Sequence, residues 1–130
     1  MLRSISSAFV VAAIVMAAAP AHATDFLKAI EDVPLVAGLT ESAEPVIFES
    51  DQGRVIRTQA EGQVGGARIS AFYVASLPGL GWTRVEDADA LAFQRENEVL
   101  RITVREPASA APVRVQFELI VKLASTRLPE

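Results

Sequence analysis

The clearest alternation of apolar and polar residues lies near the end of the chain. Val113, Val115, Phe117, Leu119, Val121 and Leu123 alternate with Arg114, Gln116, Glu118 and Lys122. Side chains two apart share one face of a strand, so this spacing predicts a half-buried strand with one wet face, and only Ile120 breaks it. Leu100, Ile102 and Val104 alternate with Arg101, Thr103 and Arg105 in the same way. Ahead of them, Trp82–Glu86 and Ala90–Arg95 read as shorter strands. Asp87-Ala88-Asp89 and Glu96-Asn97-Glu98 supply the turns, and Pro107 and Pro112 bracket an Ala/Ser loop. These four strands predict a C-terminal β-meander.

Upstream, the period changes. Gly65-Gly66 opens a helix that runs to Ser76 or Leu77, where Pro78 and Gly79 close it. Ile69, Phe72, Tyr73 and Ser76 share one face of its wheel, and this larger face is expected on a sheet. Ala67, Ala71, Val74 and Ala75 share the opposite face. Before the helix, Val46–Glu49 and Arg54–Glu61 read as the arms of a hairpin. Ser50-Asp51-Gln52-Gly53 turns it, with Gly53 where a positive φ is often needed. The mixed faces of the second arm place it near a sheet edge.

Asp25–Asp32 predicts a short helix capped by Thr24 or Asp25, with Phe26 and Ile30 on one side and Pro34 as its stop. Residues 33–45 form a connection punctuated by Pro and Gly. The sum is helix, two strands, helix, four strands. That predicts an α+β domain: an antiparallel sheet of about five or six strands with one main helix packed on one face. Arg101, Arg105, Arg114, Glu118 and Lys122 then fall on the other face, placed for cross-strand charge pairs.

The N-terminus carries a different signal. Arg3 precedes an uninterrupted apolar stretch, Ala8–Ala19, followed by Pro20 and Ala21-His22-Ala23. This is the pattern of a cleavable secretory signal peptide. The run is shorter than the roughly 20 residues a spanning helix needs, which argues against a lasting membrane anchor. Cleavage after Ala23 is expected, leaving residues 24–130 as a single domain in the periplasm or outside the cell. The cut removes the only His, His22, and both Met residues, Met1 and Met16. The chain has no Cys, and losing Arg3 without any acid makes its net charge of −4 one unit more negative.

That composition narrows the chemistry. Without Cys or His, transition-metal sites and Ser–His or Cys–His catalysis lose their usual groups. Asp87 and Asp89 lack the ligand spacing and the Gly of a calcium loop, and read as a solvated turn. A Ser–Lys pair through Lys28 or Lys122 has no G-x-S-x-G context. Glu96 and Glu98 flank Asn97 in a hairpin loop, where charge serves solubility. An acidic chain with no basic run argues against nucleic acid. Neither Gly65-Gly66 nor Pro78-Gly79-Leu80-Gly81 has the surroundings of a phosphate loop, so no cofactor is expected.

Two apolar groups remain. Phe72 and Trp82 are expected to lock helix to sheet, with Tyr73 reaching water through its hydroxyl, in preference to lining a pocket. The face made by Ala67, Ala71, Val74 and Ala75 is a candidate interface. It leaves three coverings open besides plain solvent: a second protomer, a partner, or the N-terminal helix folded across it.

Several segments also carry a likeness. Pro34-Leu35-Val36-Ala37-Gly38-Leu39, Gly53-Arg54-Val55-Ile56, Phe72-Tyr73 with Leu77-Pro78-Gly79-Leu80-Gly81-Trp82, Phe93-Gln94-Arg95-Glu96 and Leu100-Arg101-Ile102 together resemble a family of small uncharacterised secreted proteins of proteobacterial type. The resemblance implies a compartment and transfers no functional residue.

The reading is an exported, non-catalytic module that meets a periplasmic protein partner. The alternatives are a carrier holding a small molecule or lipid between helix and sheet, and, third, a small carboxylate or Ser–Lys enzyme. N-terminal sequencing of the exported protein is expected to begin at Thr24. A product beginning at Met1 would remove the signal-peptide reading.

Overall fold

The computed structural model describes residues 25–123. The expected signal segment and its cut after Ala23 lie outside the described residues. The elements are β1 (Thr40–Glu41), β2 (Val46–Ser50), β3 (Gly53–Gly62), α1 (Gly66–Ser76), a 3-10 turn at Pro78–Leu80, β4 (Thr83–Val85), β5 (Leu91–Arg95), β6 (Glu98–Arg105) and β7 (Val113–Lys122). They form one antiparallel seven-stranded sheet ordered β1-β3-β7-β6-β5-β4, with β2 also paired to β3. With the single α-helix among the described residues this is the expected α+β architecture, including the meander β4-β5-β6-β7.

The period-two pattern decides which face is buried. Val115, Phe117 and Leu119 of β7 lie inward beside Leu100 and Ile102 of β6 and Phe93 of β5, all buried. On the other side of β7, register pairs Ile56↔Leu119, Thr58↔Phe117 and Ala60↔Val115 continue the same face into β3. Helix α1 covers it with Ile69 and Tyr73, both fully buried, and Leu77 follows them into the core. Phe72 packs at the margin, edge-on to Tyr73 at 5.1 Å between ring centroids. Tyr73 meets Phe117 in the same edge-on manner at 5.7 Å.

Strand β3 lies near the sheet edge as expected, one strand in, with β7 on one side of it and β1 and β2 on the other. Of its buried positions only Ile56 is large and apolar; Thr58 is polar and Ala60 small, so the strand does not advertise its covered face. Other expectations need correction. Leu123 does not join the buried face of β7; it lies past the strand's end and is exposed.

Residues Asp25–Asp32 are not helical either. The chain there reverses on itself, bridging Phe26 to Pro34, with Leu27 N–H donating to the Val33 carbonyl at 3.0 Å and Val33 N–H to the Ile30 carbonyl at 3.0 Å. A helix of this length has little stability of its own, and every third residue here finds a better place. Leu27, Ile30, Val33, Val36 and Leu39 are all buried, whereas Phe26, the presumed partner of Ile30, is exposed. The segment is an apolar strap that closes the core beside α1.

The strap is tied down at Tyr73. Its hydroxyl donates to the Pro34 carbonyl at 2.9 Å and does not reach water. Burial pushes the phenol well above its ordinary pKa, and a main-chain hydrogen bond from Val36 offsets this only in part. Where the strap nears β3, a Cβ on Gly62 would fall 2.1 Å from the Gly38 carbonyl oxygen, and Gly38 itself has φ +97°. Gly53 meets the turn expectation with φ +149°, and a Cβ there would fall 2.1 Å from the Val121 carbonyl oxygen.

Tyr73→Phe removes the hydroxyl and leaves the Pro34 carbonyl short of a donor in a buried place. The expected loss is about 1–3 kcal/mol, read from urea unfolding. An unchanged midpoint would mean that the strap is held by its packing and its other polar ties, and not by the Tyr73 hydroxyl.

Candidate functional site

Strand β2 is the feature that the packing leaves unexplained. Val46, Ile47 and Phe48 are 49%, 52% and 56% exposed, on an edge with no strand beyond it among the described residues. Successive residues point to opposite faces. Val46 and Phe48 therefore lie on the outer face, opposite Arg57 and Val55, while Ile47 lies on the helix side, opposite Ile56. Single exposed apolar residues are ordinary, but three in a row on an unpaired edge are not.

The main chain of this edge can be assigned by alternation. Leu123 N–H donates to the Gln52 carbonyl, and Ser42 N–H to the Gln59 carbonyl. Even-numbered residues of β3 thus bond toward β7 and odd-numbered ones toward β1 and β2. In the β2–β3 hairpin the bonded pairs are Ser50↔Gly53, Phe48↔Val55 and Val46↔Arg57. The N–H and C=O groups of Ile47 and Glu49 point away from the sheet, toward open space.

The outer face beside β2 divides into rows. Phe48, Val55, Ile120 and Val99 are successive cross-strand neighbours and make an apolar row on the outer face. Phe48, Val55 and Ile120 line a groove of about 510 Å³, whose rim includes Arg54 and Lys122. The next row is ionic. Arg57 Nε meets Glu118 at 2.7 Å, Arg101 meets Glu118 at 3.5 Å, and Arg101 Nε meets Asp87 at 2.8 Å. Arg57 also stands 5.9 Å from the centre of the Phe48 ring. The expected charge pairs thus form through Arg101 and Glu118, but Arg105 and Arg114 are placed directly opposite one another, and Arg114 reaches only Glu61 at 3.9 Å.

The other sequence candidates fall in different places. Ala67, Ala71, Val74 and Ala75 share the uncovered face of α1, with Val74 39% exposed. Covering by an N-terminal helix is ruled out, because that segment is the strap and packs by Tyr73 on the buried side. Trp82 is buried beneath the Arg95 guanidinium, 4.3 Å from its ring centre. Arg95 in turn binds Asp32, Glu98 and the Leu80 carbonyl, fastening the strap and the 3-10 turn to β5. Burial lowers the pKa of this guanidinium, but Asp32 and Glu98 outweigh it and the net direction is upward. Glu96 takes the left-handed position of the β5–β6 turn, with φ 52°. Among the described residues, no group of three or more His, Cys, Asp or Glu side chains is placed to hold a metal ion.

The sequence marks Val46–Glu49 as a strand but not as an exposed edge. Two weak signals were present. The run does not alternate, so both of its faces share one kind of environment. Ile120, the one residue off pattern in β7, marks the apolar row on the wet face.

No protein-family model, curated protein or solved structure matches this chain.

Asp87 closes the ionic row and shapes its own turn, accepting from the N–H groups of Asp89 at 2.9 Å and Ala90 at 3.2 Å. The Arg101 side chain, first, and the Asp89 N–H, second, hold its carboxyl below the ordinary value. A depressed folded pKa gives stability that is present above the unfolded value, about 3.9, and lost as pH falls through the folded one. Asp87→Asn is therefore expected to melt below the parent at neutral pH, with the gap closing as pH falls through the depressed folded value. A gap that stays constant in thermal melts would assign the effect to the turn rather than to the charge.

Proposed function

We propose that the chain is an exported, non-catalytic interaction module whose β2 edge docks an extended segment of a partner protein. The observation that carries this reading is the open edge itself: Val46, Ile47 and Phe48 about half exposed, with the main-chain groups of Ile47 and Glu49 unpaired. A strand added there gains backbone hydrogen bonds from the edge and apolar contact from the side chains on both faces. The apolar row through Val55 and Ile120 extends that contact inward from the edge. Export is supported by Arg3, the Ala8–Ala19 run and Ala21-His22-Ala23.

The carrier alternative draws less support. Tyr73, Phe93, Phe117 and Ile69 fill the space between helix and sheet where a ligand would sit. The groove beside Phe48 opens on the face away from α1. The enzyme alternative lacks an observation in its favour: the acid with a displaced pKa, Asp87, is displaced downward by a structural Arg101.

Ile47→Pro is a selective probe of the edge. It removes an N–H that bonds to nothing in β3, and proline is tolerated where an edge strand faces outward. With a photo-cross-linking residue at position 48 in the exported protein, one partner species is expected, and Ile47→Pro is expected to abolish it. The same residue at position 116, on the outer face of β7, is expected to give no such species. Equal cross-linking from both positions, or persistence in Ile47→Pro, would remove the edge from the proposal.

A further inference from the structure

We infer that the occupant of the β2 edge is a basic–apolar segment of a partner protein, added antiparallel, rather than a second copy of this chain. This rests on the reading of β2 as the docking edge and adds the chemistry of what docks.

The argument begins with charge. From Ser42 to Gln52 the edge carries Glu44, Glu49 and Asp51 and no Lys or Arg. Glu49 is held only loosely, 3.9 Å from Arg54 and with a 71% exposed side chain. Arg54 and Arg57 stand one strand further in, and Arg57 is committed to Glu118, while Lys122 lies across the groove from Phe48 and Lys28 lies beside Glu44 and Pro45 before the strand begins. A strand arriving against Glu49 and Asp51 therefore meets negative charge on β2 itself before it meets the positive charge behind. The protein as a whole carries net −4, so distant charge works in the same direction.

Self-pairing meets two obstacles. Bonding both open residues in full needs Ile47 opposite Glu49 of the second copy, with the two Phe48 residues at the centre. That register sets the two Glu49 side chains on one face as diagonal neighbours. The register centred on Ile47 instead sets Pro45 opposite Glu49, and proline has no N–H to return the bond. A five-residue edge also buries far less than the roughly 800 Å² per partner of a stable dimer, whereas peptides bind by strand addition on such edges.

The same parity gives the occupant's pattern. An antiparallel strand is the more stable addition and matches every pair in this sheet. Its residues opposite Ile47 and Glu49 exchange main-chain bonds with them. The residue between lies opposite Phe48 in a non-bonded pair, where side chains approach most closely. Read from its N-terminus, the occupant places a Lys or Arg against Glu49, an aromatic or aliphatic residue against Phe48, and an aliphatic one against Ile47. A second Lys or Arg two residues earlier reaches Asp51.

The test uses two fluorescent nine-residue peptides that share the apolar pair and differ only in carrying Lys or Glu at the two charged positions. Binding to the exported protein is read by fluorescence anisotropy. The Lys peptide is expected to bind about tenfold tighter than the Glu peptide at low salt, with the ratio shrinking as salt rises. Glu49→Lys is expected to reverse the order, a gain that a misfolded variant does not produce. Ile47→Pro is expected to weaken both. Equal affinity for the two peptides, with loss of both in Ile47→Pro, overturns the basic chemistry and leaves the docking edge standing. Neither peptide binding, while position 48 still cross-links a partner, does the same. Binding that ignores Ile47→Pro places the peptide elsewhere and overturns the inference. A dimer in sedimentation that Ile47→Pro dissolves overturns it in favour of the second copy.

Discussion

The pairing of β3 with β7 is the contact on which the rest of the architecture depends. It runs in unbroken register from Gly53↔Lys122 to Gly62↔Val113 and joins the N-terminal hairpin to the C-terminal meander. The buried pairs Ile56↔Leu119, Thr58↔Phe117 and Ala60↔Val115 lie along it, so the same seam that completes the sheet also makes the floor of the core. Helix α1 connects β3 to β4, the strand at the far end of the sheet, and must therefore cross the inner face. The strap then has one open side of the core left to close, and Tyr73 is the post to which Pro34 is tied. These are contacts of long sequence separation, and forming them carries a loop-closure cost that local elements avoid.

That seam also explains why so much of the chain could be read in advance and some could not. β6 and β7 have one wet face, so alternation reveals them. Helix α1 is bounded by Gly65-Gly66 and Pro78-Gly79, which act locally wherever the helix ends up. The covered face of β3 is less plain, because Thr58 and Ala60 do not declare that they are covered. The strap buries every third residue from Leu27 to Leu39 and ends its first turn at Pro34, which mimics the spacing and stop of a short helix. Contacts with distant residues, Tyr73 to Pro34 and Arg95 to Asp32, help separate the two, and no local pattern encodes contacts across that distance.

The candidate site was legible in pieces. Val46-Ile47-Phe48 stood out as a strand, but an apolar run without alternation describes a strand buried on both faces equally well. Its partners in the apolar row, Val55, Ile120 and Val99, come from three other strands, and the sheet order alone brings them together. Because β7 occupies one side of β3, the hairpin arm β2 is left outermost, and its exposure follows from topology rather than from any feature of its own sequence.

An open apolar edge is a hazard that folded proteins ordinarily blunt, and this sheet treats its two edges differently. At the far side β4 has three residues, and its centre is Arg84, a charged and exposed position. On the near side β2 is longer and apolar, and its protection is confined to the ends: Pro45 before it, Glu49 and Asp51 at its exit. These devices limit the open main chain to Ile47 and Glu49, and the acids place like charges together when two copies meet. Repulsion between copies and attraction for a cation are one electrostatic property seen from two partners. On the proposed docking edge, the acids that oppose self-pairing of β2 would therefore also set the sign of the charge that an arriving strand brings.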